Sequence, residues 1–399
     1  MIDSKTAIKI IQDTSPKTRE LESIHIQKAN KRFLAEDIVA TREQPPFDRV
    51  MMDGIAIQVS SNNLSLNILD HYKIEGTQAA GHPQLSLASN SGCIEVMTGA
   101  MLPVNCNCVI PYENINIENK QASIIDKEVA PFQNIHPQGS DYIQGEVLVK
   151  KGFSISSPIA AVIASQGKSQ VKVYKLPKVA IITTGTELVD LDHEVAAYQI
   201  YMSNSYAIEQ ELKNQGMQEV EKVHIDDNEE ITRQKIQECL NKFDTIILTG
   251  GVSKGKFDYV PKTLCELGVE KHFHKIKQRP GKPMWYGSFK NKQIFALPGN
   301  PVSSLVCLRK YVIPALKPTA SKIKKVKLNQ EIQFSKDFTL YKPVKVINTI
   351  NGDMVAEPIN SNSSGDFYSL GLSDGFIELP AEEKVFKAGE TFNYYPWGN

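Results

Sequence analysis

Two glycine-rich runs hold the residues best suited to chemistry. Thr249-Gly-Gly-Val-Ser-Lys-Gly-Lys-Phe-Asp-Tyr259 and Leu297-Pro-Gly-Asn-Pro301 each follow an apolar, β-type segment and precede a helical pattern. In an open α/β sheet this is where backbone N–H groups meet an anionic ligand. Gly250 and Gly251 allow close backbone approach, and Ser253 adds a hydroxyl donor. Pro298, Gly299 and Asn300 form the second loop. One Gly-Gly after a strand could be turn geometry alone, whereas two such loops point to a phosphate site.

Charged groups accompany both loops. Glu187, Asp226 and Asp258 follow the ends of apolar segments and would repel a phosphate unless a divalent cation such as Mg²⁺ lay between. Capping the following helix is the other role open to Asp226 and Asp258. Lys275, Arg279 and Lys282 supply positive charge. Period-two spacing puts Lys275, Lys277 and Arg279 on one side of a strand that stays extended to Pro280, either to attract an anion or to guard a sheet edge. There is no Walker A motif, nucleophile elbow or catalytic Cys/His pair, which disfavours P-loop NTP hydrolysis and acyl transfer.

A sheet is needed to gather these residues. Between 177 and 317, strand patterns at 179–183, 220–225 and 245–249 alternate with helical ones at 204–214, 228–242 and 259–267. Strand-like 269–276 and 294–297 follow, then a helix toward Leu316 with Asn300 as cap and Pro301 first. The reading is a doubly wound α/β domain with parallel strands. Upstream, 4–12 and 29–38 read as helices until Pro45-Pro46 breaks the pattern. Residues 47–141 switch to short alternating segments at 55–59, 94–97, 108–110 and 122–125, a small β domain. A helix start at Ser157-Pro158 resembles the opening, so 1–46 and 142–176 read as one discontinuous domain interrupted by the β insertion. The basic run 317–327, with Lys322, Lys324 and Lys325, is a solvated linker or an anion patch before a C-terminal β domain at 318–399.

With 399 residues the chain exceeds one ordinary core. Its 45 basic residues balance 45 acidic ones, giving no global support for a nucleic-acid or anionic-membrane partner, so any anion site must be local. No apolar run approaches the ~18 residues of a membrane helix. The opening residues 1–6 lack the charged-then-apolar order of a signal peptide, so a cytosolic protein is expected. Of six cysteines only Cys106 and Cys108 are close; they are a metal loop without a second pair at zinc spacing, or ordinary reduced thiols. The eight histidines form no HxxxH or HExxH pattern.

Taken in chain order, Pro46-Phe-Asp48, Met52-Asp-Gly54, Met97-Thr-Gly-Ala100, Asn134-Ile135, Thr183-Thr-Gly-Thr-Glu-Leu188 and Ser203-Asn-Ser205 resemble motifs of the molybdopterin molybdenumtransferase family, the MoeA and gephyrin E-domain type. So do Gly250-Gly-Val-Ser253, Asp258-Tyr259, Arg279-Pro-Gly-Lys-Pro283, Leu297-Pro-Gly-Asn-Pro-Val-Ser303 and Ser373-Asp-Gly-Phe376, and the resemblance spans nearly the whole chain. It implies an elongated four-domain homodimer that converts adenylylated molybdopterin and molybdate to molybdenum cofactor and AMP, assisted by Mg²⁺ or another divalent ion. The cleft implied lies between the α/β domain of one subunit and the small β domain of the other.

By the same resemblance, Asp53, Thr98, Asp141, Glu187, Asp226, Asp258 and Lys275 are the polar cleft residues as the family has them, and Arg279 replaces a frequent lysine. Thr184, Gly185, Ser205, Gly250, Gly251, Ser253, Lys282, Pro298, Gly299 and Asn300 would hold pterin and nucleotide. Lys275 and Arg279 would attract molybdate, and Glu187, Asp226 or Asp258 would position the divalent ion. His136 and Gly139-Ser-Asp141 stand where the family often has Arg and Gly-Glu-Asp. Implied partners are a molybdopterin adenylyltransferase and recipient molybdoenzymes, with neither nucleic acid nor membrane. A molybdopterin adenylyltransferase-like enzyme that processes nucleotides and a non-catalytic molybdopterin-binding scaffold are the alternative functions.

Overall fold

The computed structural model describes residues 1–62, 65–126, 128–251, 259–317, 323–360 and 363–398. The chain divides into two units. One contains Met1–Ala35, Gly152–Ser156 and Gln170–Asn399, and the other Glu36–Lys151 and Ser157–Ser169.

The first unit is built on a six-stranded sheet in the order Val220–Ile225, Val179–Thr184, Thr245–Thr249, Lys292–Leu297, Trp285–Phe289, Glu270–His274. The first four strands are parallel, as their near-continuous apolar runs require when helices cover both faces. Trp285–Phe289 runs antiparallel to both its neighbours, so the sheet is mixed where an all-parallel one was expected. A tight turn at Lys290 and Asn291, with Lys290 at φ 54°, folds the unexpected strand Trp285–Phe289 directly back on Lys292–Leu297. Val179, Ile181, Ile247, Phe295 and Leu297 face one core, and Ala180, Ile182, Ile246, Leu248 and Ile294 the other. The opening helix Ser4–Thr14 packs Ala7 and Ile11 into the first core, and Asp3 caps it by accepting from Thr6 N–H at 2.8 Å.

The same unit contains a closed C-terminal barrel. Strands Thr339–Asn348, Met354–Pro358, Lys324–Leu328, Thr391–Pro396 and Gly375–Leu379 pair in that order, and the last pairs back with the first. Closure gives each of these five strands a partner on both sides. Lys324 and Lys325, read as linker or anion patch, lie in a barrel strand; Lys322 is outside the described residues.

The helix expected over 29–38 is absent. A 3₁₀ turn spans Ile26–Lys28, Lys31 has φ 63°, and Ile38–Val39 is a strand. The backbone donors of Lys31, Leu34 and Ala35 go to Ile155, Phe153 and Lys172, so strand-like pairing across the chain overrides the local helical pattern.

In the second unit a six-stranded sheet runs Ile115–Glu118, Gln121–Ile124, His71–Gln78, Gly92–Val96, Gly54–Ile57, Cys108–Pro111, with apolar clusters on both faces. Gly54 lies so near its neighbour that a Cβ there would sit 1.9 Å from the Ile110 carbonyl oxygen. The thiols of Cys93, Cys106 and Cys108 are buried in these clusters, and burial pushes each up to about 12. Helix Ser157–Ser165 is almost wholly apolar, yet only Ile163 of it is buried.

Candidate active site

Parallel pairing in register brings three strand ends together. Thr183 lies opposite Thr249, and Thr249 opposite Leu297, so Thr184, Gly250 and Pro298 emerge side by side. The switch in strand order, Val179–Thr184 lying between Val220–Ile225 and Thr245–Thr249, opens a crevice at this end. Gly250 and Gly251 have φ 94° and 64°, a region that favours glycine. Cβ atoms there would lie 3.0 Å from the Thr184 carbonyl oxygen and 2.8 Å from Thr184 Oγ1, respectively. Thr184 is thus the floor on which the loop rests.

Asn204, at the start of helix Asn204–Asn214, ties both loops by donating from Nδ2 to Thr249 Oγ1 (2.9 Å) and to Gly299 O (2.7 Å). It was absent from the expected set, although an asparagine opening the helix that follows the first strand was a visible signal. Its neighbour Ser205 is buried in the helix packing and does not line the cavity described next. Asn300 does stand at the cap position of Pro301–Cys307, but its side chain donates to Ser364 Oγ at 2.7 Å and makes no capping bond.

A cavity of about 1030 Å³ opens over these loops. Gly250, Gly251, Pro298, Gly299 and Asn300 line one part, and Arg279 and Lys282 another, with Glu187 present as well. The C-terminal barrel and the segments beside it add Lys336, Lys342, Ser363 and Ser364, none of which the sequence singled out. Four cations therefore face one carboxylate among the described lining residues. Lys342 sits half-buried, and burial, then repulsion from Arg279, pulls its pKa down. An anion in the cavity would relieve that repulsion and favour the charged lysine.

Several expectations change in the structure. The strand does not stay extended to Pro280: it ends at His274, Lys275 takes φ 76°, and Gln278–Arg279 pairs with the barrel strand Thr339–Asn348. Lys275 is not among the residues that line the cavity, whereas Arg279 and Lys282 are. Asp226 does not line it either; its carboxylate lies 3.5 Å from His224 Nε2. Nor does Asp226 cap the next helix, because Asn228 Oδ1 accepts from Ile231 N–H there. Ser253 and Asp258 lie outside the described residues. Gly185, at φ 135°, lies under the Glu187 carboxylate, since a Cβ on it would be 2.4 Å from Glu187 Oε2.

The second unit gathers its own polar residues. Asp53 Oδ1 accepts from Thr98 N–H (2.6 Å) and from Thr98 Oγ1 (2.8 Å), bonds that hold its carboxyl below the usual range, the backbone one most. Strand pairing of Arg49 with His136 sets a second chain, in which Arg49 Nη2 lies 2.9 Å from His136 Nδ1 and His136 Nε2 lies 2.8 Å from Asp141 Oδ1. Arg49 was not foreseen. The arginine can only donate, so Nδ1 accepts and Nε2–H faces the carboxylate.

Substituting Thr98→Val is expected to raise the Asp53 pKa part of the way back to an ordinary carboxylate, the backbone bond remaining. A carboxyl lowered by folding stabilises above its unfolded pKa and loses that contribution as pH falls through the folded value, so the variant should carry a smaller contribution that is exhausted at a higher pH. An NMR titration of Asp53 reads this, and an unchanged midpoint contradicts it.

Three family models match the chain: the MoeA N-terminal region (domain I and II) over residues 2–167, a probable molybdopterin binding domain over 180–318, and the MoeA C-terminal region (domain IV) over 325–397. A molybdopterin molybdenumtransferase of Synechocystis is 40% identical over 400 residues, covering 100% of both chains. One of Staphylococcus epidermidis is 30% identical, covering 97% of this chain and 94% of its own. Among solved structures, a molybdopterin biosynthesis MoeA protein of Pyrococcus horikoshii superposes with TM-score 0.78 at 28% identity, covering 100% of both chains. Another solved structure, a molybdopterin biosynthesis MoeA protein of Pyrococcus horikoshii OT3, gives TM-score 0.81 at 26% identity, with 99% of this chain and 100% of the other covered.

Proposed function

The chain belongs to the MoeA family of molybdopterin molybdenumtransferases, and on that premise we propose that it is a transferase of molybdenum cofactor biosynthesis, converting adenylylated molybdopterin and molybdate to molybdenum cofactor and AMP. The observation that carries this reading is one cavity with glycine loops on one side and Arg279, Lys282, Lys336 and Lys342 on another. Gly250, Gly251 and Gly299 offer backbone to nucleotide and pterin phosphates, held by the Asn204 tie. The cations attract the molybdate dianion and neutralise charge as the phosphoanhydride opens and AMP leaves. Such a reaction asks the protein for positioning and charge, with no covalent intermediate on a side chain.

Glu187, the carboxylate among the described lining residues, fits as a protein ligand for Mg²⁺, which takes one or two carboxylates beside phosphate oxygens. Bound there, the ion would supply charge neutralisation at the phosphates. Asp258 remains a proposed second ligand, and Asp226 a more distant one.

The reading includes a homodimer in which the small β domain of a second copy, bearing Asp53, Thr98 and Asp141, completes the site. The apolar, largely exposed helix Ser157–Ser165 supports association, since exposed apolar helices of this kind are usually covered. It also includes a cytoplasmic setting, where unpaired thiols persist; all six cysteines are free. Among the described residues no helix is long and apolar enough to cross a membrane. A molybdopterin adenylyltransferase and recipient molybdoenzymes are the proposed functional partners.

The test is direct. Incubation with adenylylated molybdopterin, molybdate and Mg²⁺ is expected to release AMP and yield molybdenum cofactor, while sedimentation shows twice the chain mass. Absence of AMP release overturns the activity, and a single-chain mass overturns the shared site.

A further inference from the structure

Behind the cationic turn lies a row of buried hydroxyls that the proposed reaction does not use. The turn is closed by Lys275 N–H donating to Met284 O and Ile276 N–H donating to Lys282 O, both at 2.9 Å. Its inside is filled by the side chain of Gln278, which is 1% exposed. Gln278 Nε2 donates to Pro280 O at 3.1 Å and lies 3.5 Å from Cys307 Sγ. A Cβ on Gly281 would lie 2.5 Å from that Nε2 and 2.6 Å from the sulfur, so the turn's backbone is pressed onto the amide. On the other side, Gln278 Oε1 accepts from the Tyr311 hydroxyl. Tyr311 Oη lies 2.9 Å from Ser4 Oγ, which lies 2.7 Å from Tyr341 Oη.

The proton inventory gives this row a single direction. A carbonyl only accepts, so Nε2 must face Pro280 and leave Oε1 to Tyr311. Tyr311 has one hydroxyl proton and gives it to Gln278. Ser4 then donates to Tyr311, and Tyr341 to Ser4 at 2.7 Å, the shorter of its two options, the other being Glu378 Oε1 at 3.4 Å. The chain runs Tyr341, Ser4, Tyr311, Gln278, Pro280, with Ser4, Tyr311 and Tyr341 all buried. Tyr311 is presented by a π turn, Leu308–Val312, in a helical run where Pro314 has no N–H to offer Lys310; Ile313 N–H reaches back to Leu308 O instead.

We propose that Gln278 is a positioning residue for Arg279 and Lys282, locked by the Tyr341–Ser4–Tyr311 hydroxyl chain, and that it sets the cavity's affinity for a tetrahedral oxyanion. Gln278 borders the cavity, but both ends of its amide are committed to the protein, so it acts through the turn. The inference rests on reading the cavity as the oxyanion site. It also makes the opening helix, which supplies Ser4, part of the support for that site.

Two variants of the full-length chain test it: Tyr311→Phe, which keeps the ring, and Gln278→Met, which keeps the length. Without ligand, amide hydrogen exchange in peptides spanning 276–284 should quicken by about tenfold in both, as expected for loss of one buried hydrogen bond, while 292–297 is unchanged. Calorimetry with molybdate alone should show Kd raised by about tenfold, and in turnover KM for molybdate should rise with kcat nearly constant. Ser4→Ala should give a smaller change in the same direction. Unchanged exchange over 276–284 in both folded variants overturns the proposal, and so does faster exchange with unaltered molybdate Kd, which leaves only a structural role. If the unsubstituted chain binds no molybdate, it is the oxyanion reading that fails, and the exchange result still decides whether Gln278 holds the turn.

Discussion

Replacing Arg279 and Lys282 together with methionine is expected to lower kcat/KM for molybdate by about 10²–10³-fold in an otherwise folded protein. A hydrogen bond to a charged group contributes about 1.5–3 kcal/mol, so two lost donors on one anion reach this range even when their effects overlap. Both side chains are exposed to the cavity, so the core loses little and the melting temperature should hold. Arg279→Lys keeps the charge and gives up the planar fork, so a milder loss, on the order of tenfold, is expected. Affinity should also fall as pH rises through the lowered pKa of Lys342: a lysine that favours the anion when charged helps fully below that pKa and is lost above it. Steady-state kinetics with molybdate varied at several pH values measures all three. A double variant with near-normal kcat/KM would remove the cationic turn from the site.

Gly251→Ala is expected to weaken AMP binding by about 10–100-fold. The left-handed backbone costs an L-residue roughly 1–2 kcal/mol. The added Cβ would also meet Thr184 Oγ1 at 2.8 Å and Val260 Cγ2 at 3.0 Å, so the loop must lift off its floor. Pairing it with Thr184→Ala removes the first contact and leaves the backbone cost, so the double variant should recover part of the lost affinity. Calorimetry with AMP reads the series. No loss in Gly251→Ala, or no recovery in the double variant, would show that the loop does not carry the nucleotide in this geometry.

The glycine loops at 250 and 298 were legible in the sequence because their information is local: an apolar strand, a glycine that tolerates positive φ, and a helix start follow one another within about ten residues. The four parallel strands were legible for the same reason. The opening helix was legible too, through its apolar spacing. The hairpin return of Trp285–Phe289 was not, since an antiparallel pairing depends on where the chain turns.

The sequence by itself determined which residue types could grip an anion and in what order they come, and with that order the family. Tertiary structure decided which of them meet. Lys275 and Arg279 are four residues apart and looked like one face, yet the strand breaks at a positive φ on Lys275 and only Arg279 lines the cavity. Lys336 and Lys342 are far from the glycine loops in sequence, and barrel closure brings them to the same cavity. The hydroxyl chain joins Ser4 to Tyr341 across 337 positions. Such contacts follow from pairing register and core packing over long sequence separations, which no local pattern of residue types encodes.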